Sequence, residues 1–409
     1  MIIARKVRLL PTKEQEQQLI KSAGTARYIY NWALDKQIEH MNLAGKLTKI
    51  KDTELRKELT KLKQTEEYSW LYNISNNVAK QAVKDVCAGL DRFYRESKKH
   101  GYRYRESAIK SGKVLQISDY EDFPRFKSRR RSKVSFYHDT EKLKIQREEA
   151  HLEKIGNVAL AEKDRIPMKT KYTNPRITHD GKYWYLSVGV EQEEKEIELT
   201  GETIGIDLGI KELATISSIE KPVENINKTK EVRRLKKKMK RKQRRVSKKY
   251  ENNKIQKGKA GENRYKFIKT KNIEKLEKET KLINRRLRNI RLNHIHQATN
   301  KIVKTKPSKI VVEDLNVKGM MKNRHLSKAI SEQCFYMFVT ILAYKCVLNG
   351  IEIVKADRFY PSSKKCSCCG SIKKDLKLKD RIFICPVCKF IIDRDKNAAI
   401  NLSKYPESA

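Results

Sequence analysis

One apolar run in the sequence carries a single acid: Thr203-Ile204-Gly205-Ile206-Asp207-Leu208-Gly209. A short run of this kind predicts a strand that is buried on both faces, and Leu213 to Ile219 is placed to pair back on it. A second such strand, Lys309 to Glu313, also ends in an acid, and Ile351 to Ala356 is a third. Helical patterns separate these strands, including one from Ser327 to Leu348. Strands that alternate with helices predict an α/β domain.

The residues before about position 200 have a different pattern. Ala4 to Leu10 predicts a strand, and Thr12 followed by Gln15 predicts a capping box at the start of a helix. Apolar residues at helical spacing predict a second helix from Asn76 to Lys98. Short β-like runs follow between Phe123 and Val190, and we expect them to form a small β module that the N-terminal strand joins.

The charge of the chain is strongly positive and unevenly distributed. Its 409 residues include 93 Lys and Arg against 50 Asp and Glu, a formal net charge of +43. Residues 228–306 alone hold 31 Lys and Arg against 6 Asp and Glu, whereas residues 191–202 form an acidic stretch that indicates a domain boundary near residue 200. A charge of this size needs a polyanionic partner, and nucleic acid is the obvious one.

Neither a membrane nor export is indicated. No apolar run reaches the 18 residues that suggest a membrane helix. The N-terminus has charges where a signal peptide has its apolar stretch. The basic charge also runs along most of the chain rather than beside one amphipathic helix. We therefore expect a soluble cytoplasmic protein that does not bind membranes.

Cysteines near the C-terminus have the spacing of a four-thiolate zinc site, with two residues inside each pair and 15 between the pairs: Cys366, Cys369, Cys385 and Cys388. Two tight knuckles let the sulfurs converge on one ion, and no open ligand position is evident, so the spacing predicts a structural Zn²⁺. Cys368 competes with Cys369 for the first knuckle. Disulfides are the alternative, which an intracellular protein disfavours. The other cysteines are expected to be packing residues: Cys87, Cys334 and Cys346.

Three acids lie in or beside apolar runs: Asp207, Glu313 and Asp395. An unpaired carboxylate is costly there unless it binds a cation. Two Mg²⁺ ions held by such carboxylates can activate water and stabilise the leaving oxygen in phosphodiester hydrolysis, so in a chain of this charge the set indicates a nuclease. Taken singly, each acid is more often a cap or a salt-bridge partner. The spacing leaves Asp393 open as a replacement for Asp395, and Asp314 for Glu313.

The acids stand in three segments that resemble the motifs of a RuvC-type nuclease domain: Gly205 to Lys211, Val311 to Leu315 and Asp393 to Ala399. With the two cysteine knuckles between the second and third motifs, the set resembles the TnpB family, the RNA-guided endonucleases of insertion sequences. Further segments are similar to the family, so the resemblance covers nearly the whole chain: Gly24 to Asn31, Phe123 to Lys127 and Ser362 to Cys366.

This resemblance implies a multidomain α+β chain. Residues 1–12 and 121–199 would form a wedge-like module built on a small β-barrel, and residues 13–120 a helical recognition lobe. Residues 200–361 and 393–409 would form an RNase H-like (RuvC) α/β domain, with a basic helical insertion at 228–306. Residues 362–392 would be an inserted zinc ribbon.

The resemblance also implies the chemistry. Asp207, Glu313 and Asp395 would be catalytic and bind Mg²⁺ or Mn²⁺, and Asn397 would help shape that end of the site. Related repressors have lost one or more of these acids, so the complete set indicates an active enzyme. The implied partners are a guide RNA and double-stranded target DNA, bound by a monomer within a ribonucleoprotein of a prokaryotic cell. Guide pairing would read the sequence, and the protein would read a short adjacent DNA motif.

Three groups of side chains are candidates for nucleic-acid contacts. The polar face of the second helix is a candidate for reading the adjacent motif, although a solvated face explains it equally well: Asn77, Lys80, Gln81 and Lys84. A basic run with few acids for pairing favours contacts with phosphates over a helix that binds nothing: Arg233, Arg234, Lys237, Arg241, Arg244 and Arg245. Aromatic residues could stack on bases, but at their spacing they are more often core: Tyr28, Tyr30, Trp32, Trp70 and Tyr72.

Other functions stay open at this point. A guide-RNA-dependent repressor that binds without cutting is disfavoured by the complete set of acids. A transposase that joins DNA ends is disfavoured because the chain has no obvious histidine-pair or tyrosine motif for strand transfer. Within the nuclease class, a compact type V CRISPR effector is the alternative, and the genomic neighbourhood would separate the two.

Overall fold

The computed structural model describes residues 1–129, 132–193, 197–256, 265–377 and 380–406 of an α+β protein. The chain divides into two compact units, Met1–Gln192 and Glu193–Ala409. This division falls within the acidic stretch that indicates a boundary near residue 200, although Glu194 and Glu196 of that stretch lie outside the described residues. Among the described residues, no helix is both long and apolar enough to cross a membrane.

The first unit begins with a strand and a helix joined at a capped turn. The strand β1 (Ile2–Leu10) precedes the helix α1 (Lys13–Ala44). The predicted capping box is present, because the Gln15 N–H donates to Thr12 Oγ1 (3.3 Å) and the Thr12 N–H donates to Gln15 Oε1 (3.0 Å). Gly45 ends the helix with φ +61°, the left-handed conformation that glycine adopts at low cost. Local sequence therefore sets both ends of α1.

Helices α2 (Asp52–Lys63), α3 (Asn76–His100) and α4 (Glu106–Ile109) complete the helical part of this unit, with 3₁₀ turns at Glu66–Asn73 and Ile117–Asp119. The predicted second helix is α3, which packs against α1. One buried apolar cluster joins the two helices. It contains Ile29, Ala33 and Leu34 of α1, and most of the side chains that gave α3 its helical pattern: Ala82, Val86, Leu90 and Phe93.

A seven-stranded antiparallel sheet forms the rest of the first unit. Besides β1 it contains β2 (Val134–Tyr137), β3 (Lys144–Ile145), β4 (Glu149–Leu152), β5 (Gly156–Leu160), β6 (Tyr172–His179) and β7 (Trp184–Glu191). The strand order is β2-β6-β7-β1-β5-β4-β3, so the N-terminal strand joins the module near its centre, as predicted. Alternate side chains of each strand enter one core, as the period-2 pattern of a half-buried sheet requires.

The second unit is built on a four-stranded mixed sheet. Four strands form this sheet: β8 (Thr200–Leu208), β9 (Ala214–Ile216), β12 (Pro307–Glu313) and β13 (Glu352–Ala356). Two separate strand pairs also belong to the unit, β10 (Lys254–Gln256) with β11 (Tyr265–Phe267) and β14 (Ile382–Ile384) with β15 (Ile391–Asp393). The sheet order is β13-β12-β8-β9, in which β12 is parallel to both neighbours and β9 is antiparallel to β8. The predicted strands at 203–209, 309–313 and 351–356 are thus neighbours in one sheet.

The helices of the second unit are α5 (Lys230–Asn252), α6 (Lys271–Val303), α7 (Val317–Met320), α8 (Ser327–Gln333), α9 (Phe335–Leu348) and α10 (Arg394–Ser403), with a 3₁₀ turn at Ile226–Lys228. The basic stretch forms the long helices that its composition predicts. Helices α5 and α6 pack along a small apolar seam that includes Val232, Leu235 and Leu287. The C-terminal half of α6 continues into the main core beside the sheet.

The single helix predicted from Ser327 to Leu348 is wrong in one respect. The chain breaks at Cys334, which adopts φ +58° and separates α8 from α9. Just before the break, the buried Gln333 side chain donates to the carbonyls of Gly209 and Ile210, at 3.0 Å each. Apolar periodicity continues across a break of one residue and therefore does not reveal it. The contact that accompanies the break is with residues distant in sequence, so no local pattern predicts it.

Helix α10 packs on β8 at very close range. A Cβ atom on Gly205 would lie 2.0 Å from the Ala399 carbonyl oxygen and 2.3 Å from the Ser403 nitrogen. Real Cβ atoms do not approach backbone atoms this closely, so only glycine fits at this position of the strand. The missing side chain lets the helix lie against the strand that carries Asp207.

This close approach predicts a strong difference between two glycines of the same strand. In Gly205→Ala the added methyl group must displace α10, and overpacking of this kind costs about 1–3 kcal/mol or more. We expect the melting temperature to fall by about 2–12 °C. Gly201→Ala is the matched control, because a Cβ there meets nothing within 4 Å. Thermal unfolding measures both, and equal melting temperatures would contradict the packing described.

Candidate functional site

Strand pairing brings two of the predicted acids together. In the parallel ladder of β8 and β12, Val312 pairs with Ile206, so Glu313 and Asp207 are the next residues along their strands. Both side chains are half-buried. Because parallel strands run in the same direction, their acids reach the same edge of the sheet.

The third acid comes from the start of α10. Asp395 lies in the first turn of this helix, and its charge, like that of Glu313, raises the pKa of Asp207. The carboxylate of Asp393 is used differently, because it caps the helix by accepting the N–H groups of Asp395 (2.9 Å) and Lys396 (3.1 Å). Asp395 therefore lies near the two strand acids. The charge of Asp393 also raises the pKa of Asp207, but its carboxylate has a local partner because it caps α10.

The alternative to Glu313 also has a partner of its own. Asp314 Oδ2 accepts from Arg358 Nη2 at 2.7 Å, in an ion pair on the exposed side of the site. Cap and salt-bridge partner are the two ordinary roles that the sequence left open for these acids. In the structure those roles belong to the neighbouring residues Asp393 and Asp314.

The acid set carries an excess of negative charge that Arg394 offsets only in part. Burial, followed by the charges of Glu313 and Asp395, raises the pKa of Asp207 to about 8, although Arg394 acts in the opposite direction. Burial also raises the pKa of Glu313. Hard divalent cations with oxygen ligands relieve such a charge, so the donor chemistry of the three acids fits Mg²⁺ or Mn²⁺.

The side chains that follow Asp395 anchor α10 to its surroundings. Lys396 Nζ donates to the carbonyls of Ile216 (3.0 Å), Ser217 (2.8 Å) and Ile219 (2.9 Å), and therefore points toward the end of β9. Asn397 is fully buried; its Nδ2 donates to Lys365 O (2.7 Å) and its Oδ1 accepts the Ser367 N–H (3.0 Å).

One turn later, Asn401 Nδ2 donates to the carbonyls of Ser362 (2.7 Å) and Lys365 (2.6 Å). Asn397 and Asn401 thus fix α10 to the segment that leads into the first cysteine knuckle. The sequence indicated a role for Asn397 in shaping the acid site. The structure shows a role in holding the helix that carries Asp395.

The four predicted zinc ligands converge, and they form a four-thiol cluster: Cys366, Cys369, Cys385 and Cys388. Their sulfurs all lie within 4.8 Å of one another, and Cys369 rather than Cys368 completes the set. Tetrahedral thiolate ligation of Zn²⁺ needs this arrangement. Within the described residues, no other group of three or more such side chains has ligand atoms this close, so the three carboxylates form a looser set than the thiols.

The two knuckles share one backbone pattern. The Cys366 N–H donates to Ser371 O (2.8 Å), and the Cys385 N–H donates in the same way to Phe390 O (2.9 Å). Gly370 and Lys389 follow the second cysteine of each pair with φ of +78° and +58°. Sequence reasoning missed Ser371, whose hydroxyl lies 3.2 Å from Cys369 Sγ and 3.0 Å from Cys385 Sγ. Its hydrogen bond lowers the pKa of Cys369.

The candidate residues on α3 differ in their surroundings and in their exposure. Gln81 Nε2 donates to Asp85 Oδ1 (2.9 Å) and lies at a cavity of about 130 Å³ that Arg27, Lys127 and Arg176 also line. Lys80 instead lines a groove of about 310 Å³ between α2 and α3. The remaining two differ in exposure, because Asn77 is half-buried and Lys84 is exposed. At helical spacings of i, i+3, i+4 and i+7, all four residues lie on one face of α3, and along that face Gln81 borders the cavity while Lys80 borders the groove.

All six basic candidates on α5 are exposed: Arg233, Arg234, Lys237, Arg241, Arg244 and Arg245. Their neighbours Lys236 and Lys242 are instead in ion pairs, with Glu332 (2.6 Å) and Glu279. The aromatic candidates divide in a similar way. Tyr30 is buried and Trp32 is partly buried in the helical core, whereas three remain accessible: Tyr28, Trp70 and Tyr72.

The sequence of the chain matches models of known protein families. Three family models match separate parts of the chain: the OrfB_IS605 helix-turn-helix domain at residues 1–46, OrfB_IS605, described as a probable transposase, at residues 186–324, and the Cas12f1-like TNB domain at residues 335–402. In the structure, residues 1–46 form β1 and one long helix, α1. The last two matches together contain all three acids and the four cysteines.

Individual relatives agree with the family models. A protein of Streptomyces pristinaespiralis with the name "Putative RNA-guided DNA endonuclease" is 28% identical over 401 residues, which cover 98% of this chain and 88% of the relative. "TnpB-like protein L79" of Acanthamoeba polyphaga mimivirus is 30% identical over 143 residues, 34% of this chain and 27% of the relative. The protein chain of a solved Cas12f1-sgRNA-target DNA complex is 15% identical to this chain, and the alignment covers 98% of this chain and 99% of the Cas12f1 chain. Its TM-score is 0.35, which is too low to support a conclusion about the fold.

The chain is thus related to the OrfB-type proteins that the family models describe. The resemblance to TnpB that its motifs indicate is confirmed by these matches.

The raised pKa of Asp207 predicts how stability depends on pH. Because this pKa lies above that of the unfolded chain, the contribution of Asp207 to stability is present at low pH and is lost as pH rises toward about 8. In metal-free protein at pH 8.5, Asp207→Asn should therefore raise the melting temperature by about 2–4 °C or more, and at pH 4 the gain should shrink. Mg²⁺ should stabilise the wild type and not the variant. Asp314→Asn is the control that should keep the Mg²⁺ effect, and an equal Mg²⁺ effect on Asp207→Asn would refute the assignment.

The cysteine geometry predicts which thiols hold the zinc. Cys385→Ser should remove the metal, because it deletes one of four converging ligands, whereas Cys368→Ser should leave about one zinc ion per chain. Elemental analysis of the purified proteins makes this comparison. Loss of zinc in Cys368→Ser with retention in Cys369→Ser would show that the first knuckle uses the other cysteine.

Proposed function

We propose that the chain is the RNA-guided DNA endonuclease of a transposable element, which cuts DNA beside a short adjacent motif. The observation that carries the proposal is the meeting of Asp207, Glu313 and Asp395 from three distant segments, in a chain of net charge +43. Packing alone does not explain why one end of the sheet should gather three carboxylates, whose charge Arg394 offsets only in part. The name of the Streptomyces pristinaespiralis relative, which aligns along nearly the whole chain, supports the same function.

We assign the chemistry to two-metal hydrolysis at a RuvC-type site. Asp207 would be the central acid of the set, because the charges of both Glu313 and Asp395 raise its pKa. It would contact the ions together with Glu313 and Asp395. Divalent ions held in this way supply an activated water and stabilise the leaving oxygen. The carboxylates of a two-ion site span a wider volume than the ligands of a single ion, which is consistent with their looser spacing.

The residues around the acids hold them in place. Asp393 fixes the start of α10 by capping it, and Lys396 and Asn397 hold the same helix from two sides. Glu313 is fixed by the β12 ladder. Pre-positioned ligands are needed because a displacement of about 1 Å is enough to cost much of the rate.

The exposed arginines and lysines of α5 would bind phosphates of guide RNA and target DNA. Six exposed cations lie on one helix, which suits a ligand with regularly spaced negative charge. In the first unit, Gln81 and the basic residues around its cavity are candidates for contact with the adjacent motif, together with Asn77, Lys80 and Lys84 on the same face of α3. We propose that sequence is read by guide pairing, and that one chain acts with one guide RNA in a ribonucleoprotein.

The decisive test is cleavage of a plasmid library by the purified ribonucleoprotein. Wild type should cut in Mg²⁺ at sites that match the co-purified RNA and carry one common adjacent motif. Asp207→Ala should lose cleavage by at least about 10²-fold but keep RNA and DNA affinity within about twofold, because it removes a metal ligand and no basic contact. Glu313→Gln and Asp395→Asn should behave in the same way.

Two acids outside the proposed catalytic set provide matched controls. Asp314→Asn breaks the exposed pair with Arg358 and should keep most of the activity, because exposed ion pairs contribute little. Asp375→Asn removes an acid from the ribbon outside the acid set and should be neutral. Cleavage that survives Asp207→Ala would refute the site. Guide-directed binding without any cleavage by the wild type would favour a repressor instead.

A further inference from the structure

One large apolar side chain beside the acid-bearing strands is almost fully exposed in the part of the chain that the structure describes. Phe359 is 88% exposed, more than any other phenylalanine or tyrosine that the structure describes as exposed. A phenylalanine gains about 2 kcal/mol when it is buried, so full exposure leaves that free energy unused. A scattered surface leucine needs no explanation, but an aromatic ring held in the open beside a reactive centre does.

The position of Phe359 follows from the sheet. Strand β13 is parallel to β12, and its last residue, Ala356, pairs with Glu313. Phe359 is three residues further on, in the loop that leaves the same edge of the sheet. The residue before it, Arg358, donates to Asp314, the neighbour of Glu313. The backbone that carries Phe359 is therefore tied directly to the end of the strand that carries Glu313.

The loop is held firmly on both sides of the exposed ring. The Asp357 N–H donates to Tyr405 Oη (3.1 Å), and Asp357 Oδ1 accepts the Phe359 N–H (2.8 Å). On the other side, Tyr360 Oη donates to Asn401 O (3.1 Å), and its ring packs edge-on against Tyr405 at 4.9 Å. Tyr360 and Tyr405 pack against the small cluster that includes Leu402 of α10. Thus Phe359 is exposed in an ordered loop whose two flanking segments are both anchored.

We infer that Phe359 is a stacking platform for an unpaired nucleobase of the DNA strand that enters the acid site. The inference deepens the proposed function and rests on it. An exposed aromatic ring can stack on any base, because every base has a π-face. A base fixed on Phe359 would hold its strand close to the carboxylates, so Phe359 is a positioning residue that touches the substrate.

The first experiment measures single-turnover cleavage by the intact ribonucleoprotein at subsaturating DNA. Phe359→Ala and Phe359→Leu should slow cleavage about tenfold, since loss of one base–aromatic stack costs roughly that factor. Phe359→Tyr and Phe359→Trp should stay within about twofold of wild type. Tyr336→Ala is the matched control, because Tyr336 is 78% exposed on α9 of the same unit and should be silent. All variants should melt within about 1 °C of wild type, because none removes a buried side chain.

The second experiment reads stacking without cleavage. The Asp207→Asn ribonucleoprotein binds target DNA in which 2-aminopurine replaces one base at a time along the unpaired strand, and stacking quenches its fluorescence. We expect quenching at one or two neighbouring positions with Phe359 or Phe359→Tyr, and its loss with Phe359→Ala and Phe359→Leu. This readout does not depend on the metal site.

The outcomes separate the two proposals. If wild type does not cut but 2-aminopurine is quenched through Phe359, the proposed nuclease function fails and the platform stands. If wild type cuts and Phe359→Ala cuts equally fast with unchanged quenching, only the platform is overturned. Full rescue of both readouts by Phe359→Leu would also overturn it, because a general apolar contact, such as one with a protein partner, would then be sufficient.

Discussion

The close packing of α10 on β8 is the constraint on which the second unit depends. Gly205 lets the two backbones approach, because any side chain at this position would collide with Ala399 and Ser403. As a result, the start of the helix lies near the strand acid Asp207, and Asp395 joins it. The other face of the same helix presents Asn397 and Asn401 to the segment of the first cysteine knuckle. One helix thus connects the carboxylates to the four-thiol cluster.

The distribution of charge complements this arrangement. The basic excess of the second unit lies mainly on α5 and α6, where the six candidate cations of α5 are exposed and have no role in the apolar seam. The acids, in contrast, are half-buried at the sheet edge, where burial and mutual repulsion raise the pKa of Asp207. A polyanion is attracted by the helices and repelled by the bare acids. Under the proposed function, divalent cations bound at the acids would reverse the second effect and let phosphate approach the carboxylates.

Much of this could be predicted from the sequence, because the signals were local. The apolar strands ending in Asp207 and Glu313, the cysteine spacing and the Thr12 cap each occupy a few consecutive residues. The division of labour between Asp395 and Asp393 could not be derived from spacing, since it depends on where α10 begins. Gln333 and Ser371 were missed for a similar reason. Their hydrogen-bond partners, Gly209 and Cys385, are distant in sequence, and a lone Gln or Ser gives no pattern.

The place of the four-thiol cluster in the chain has a physical consequence for the acids. Between Glu313 and Asp395 the chain must leave the sheet and return, and closing a flexible loop of that length costs entropy. Metal ligation by cysteines on either side of a shorter loop would restrict it before α10 docks. The amides of Asn397 and Asn401 depend on the knuckle segment for their acceptors, because both are buried and a lost carbonyl would leave a donor without a partner. The geometry of Asp395 is therefore linked through α10 to the fold of the ribbon, although the thiols take no part in the chemistry at the carboxylates.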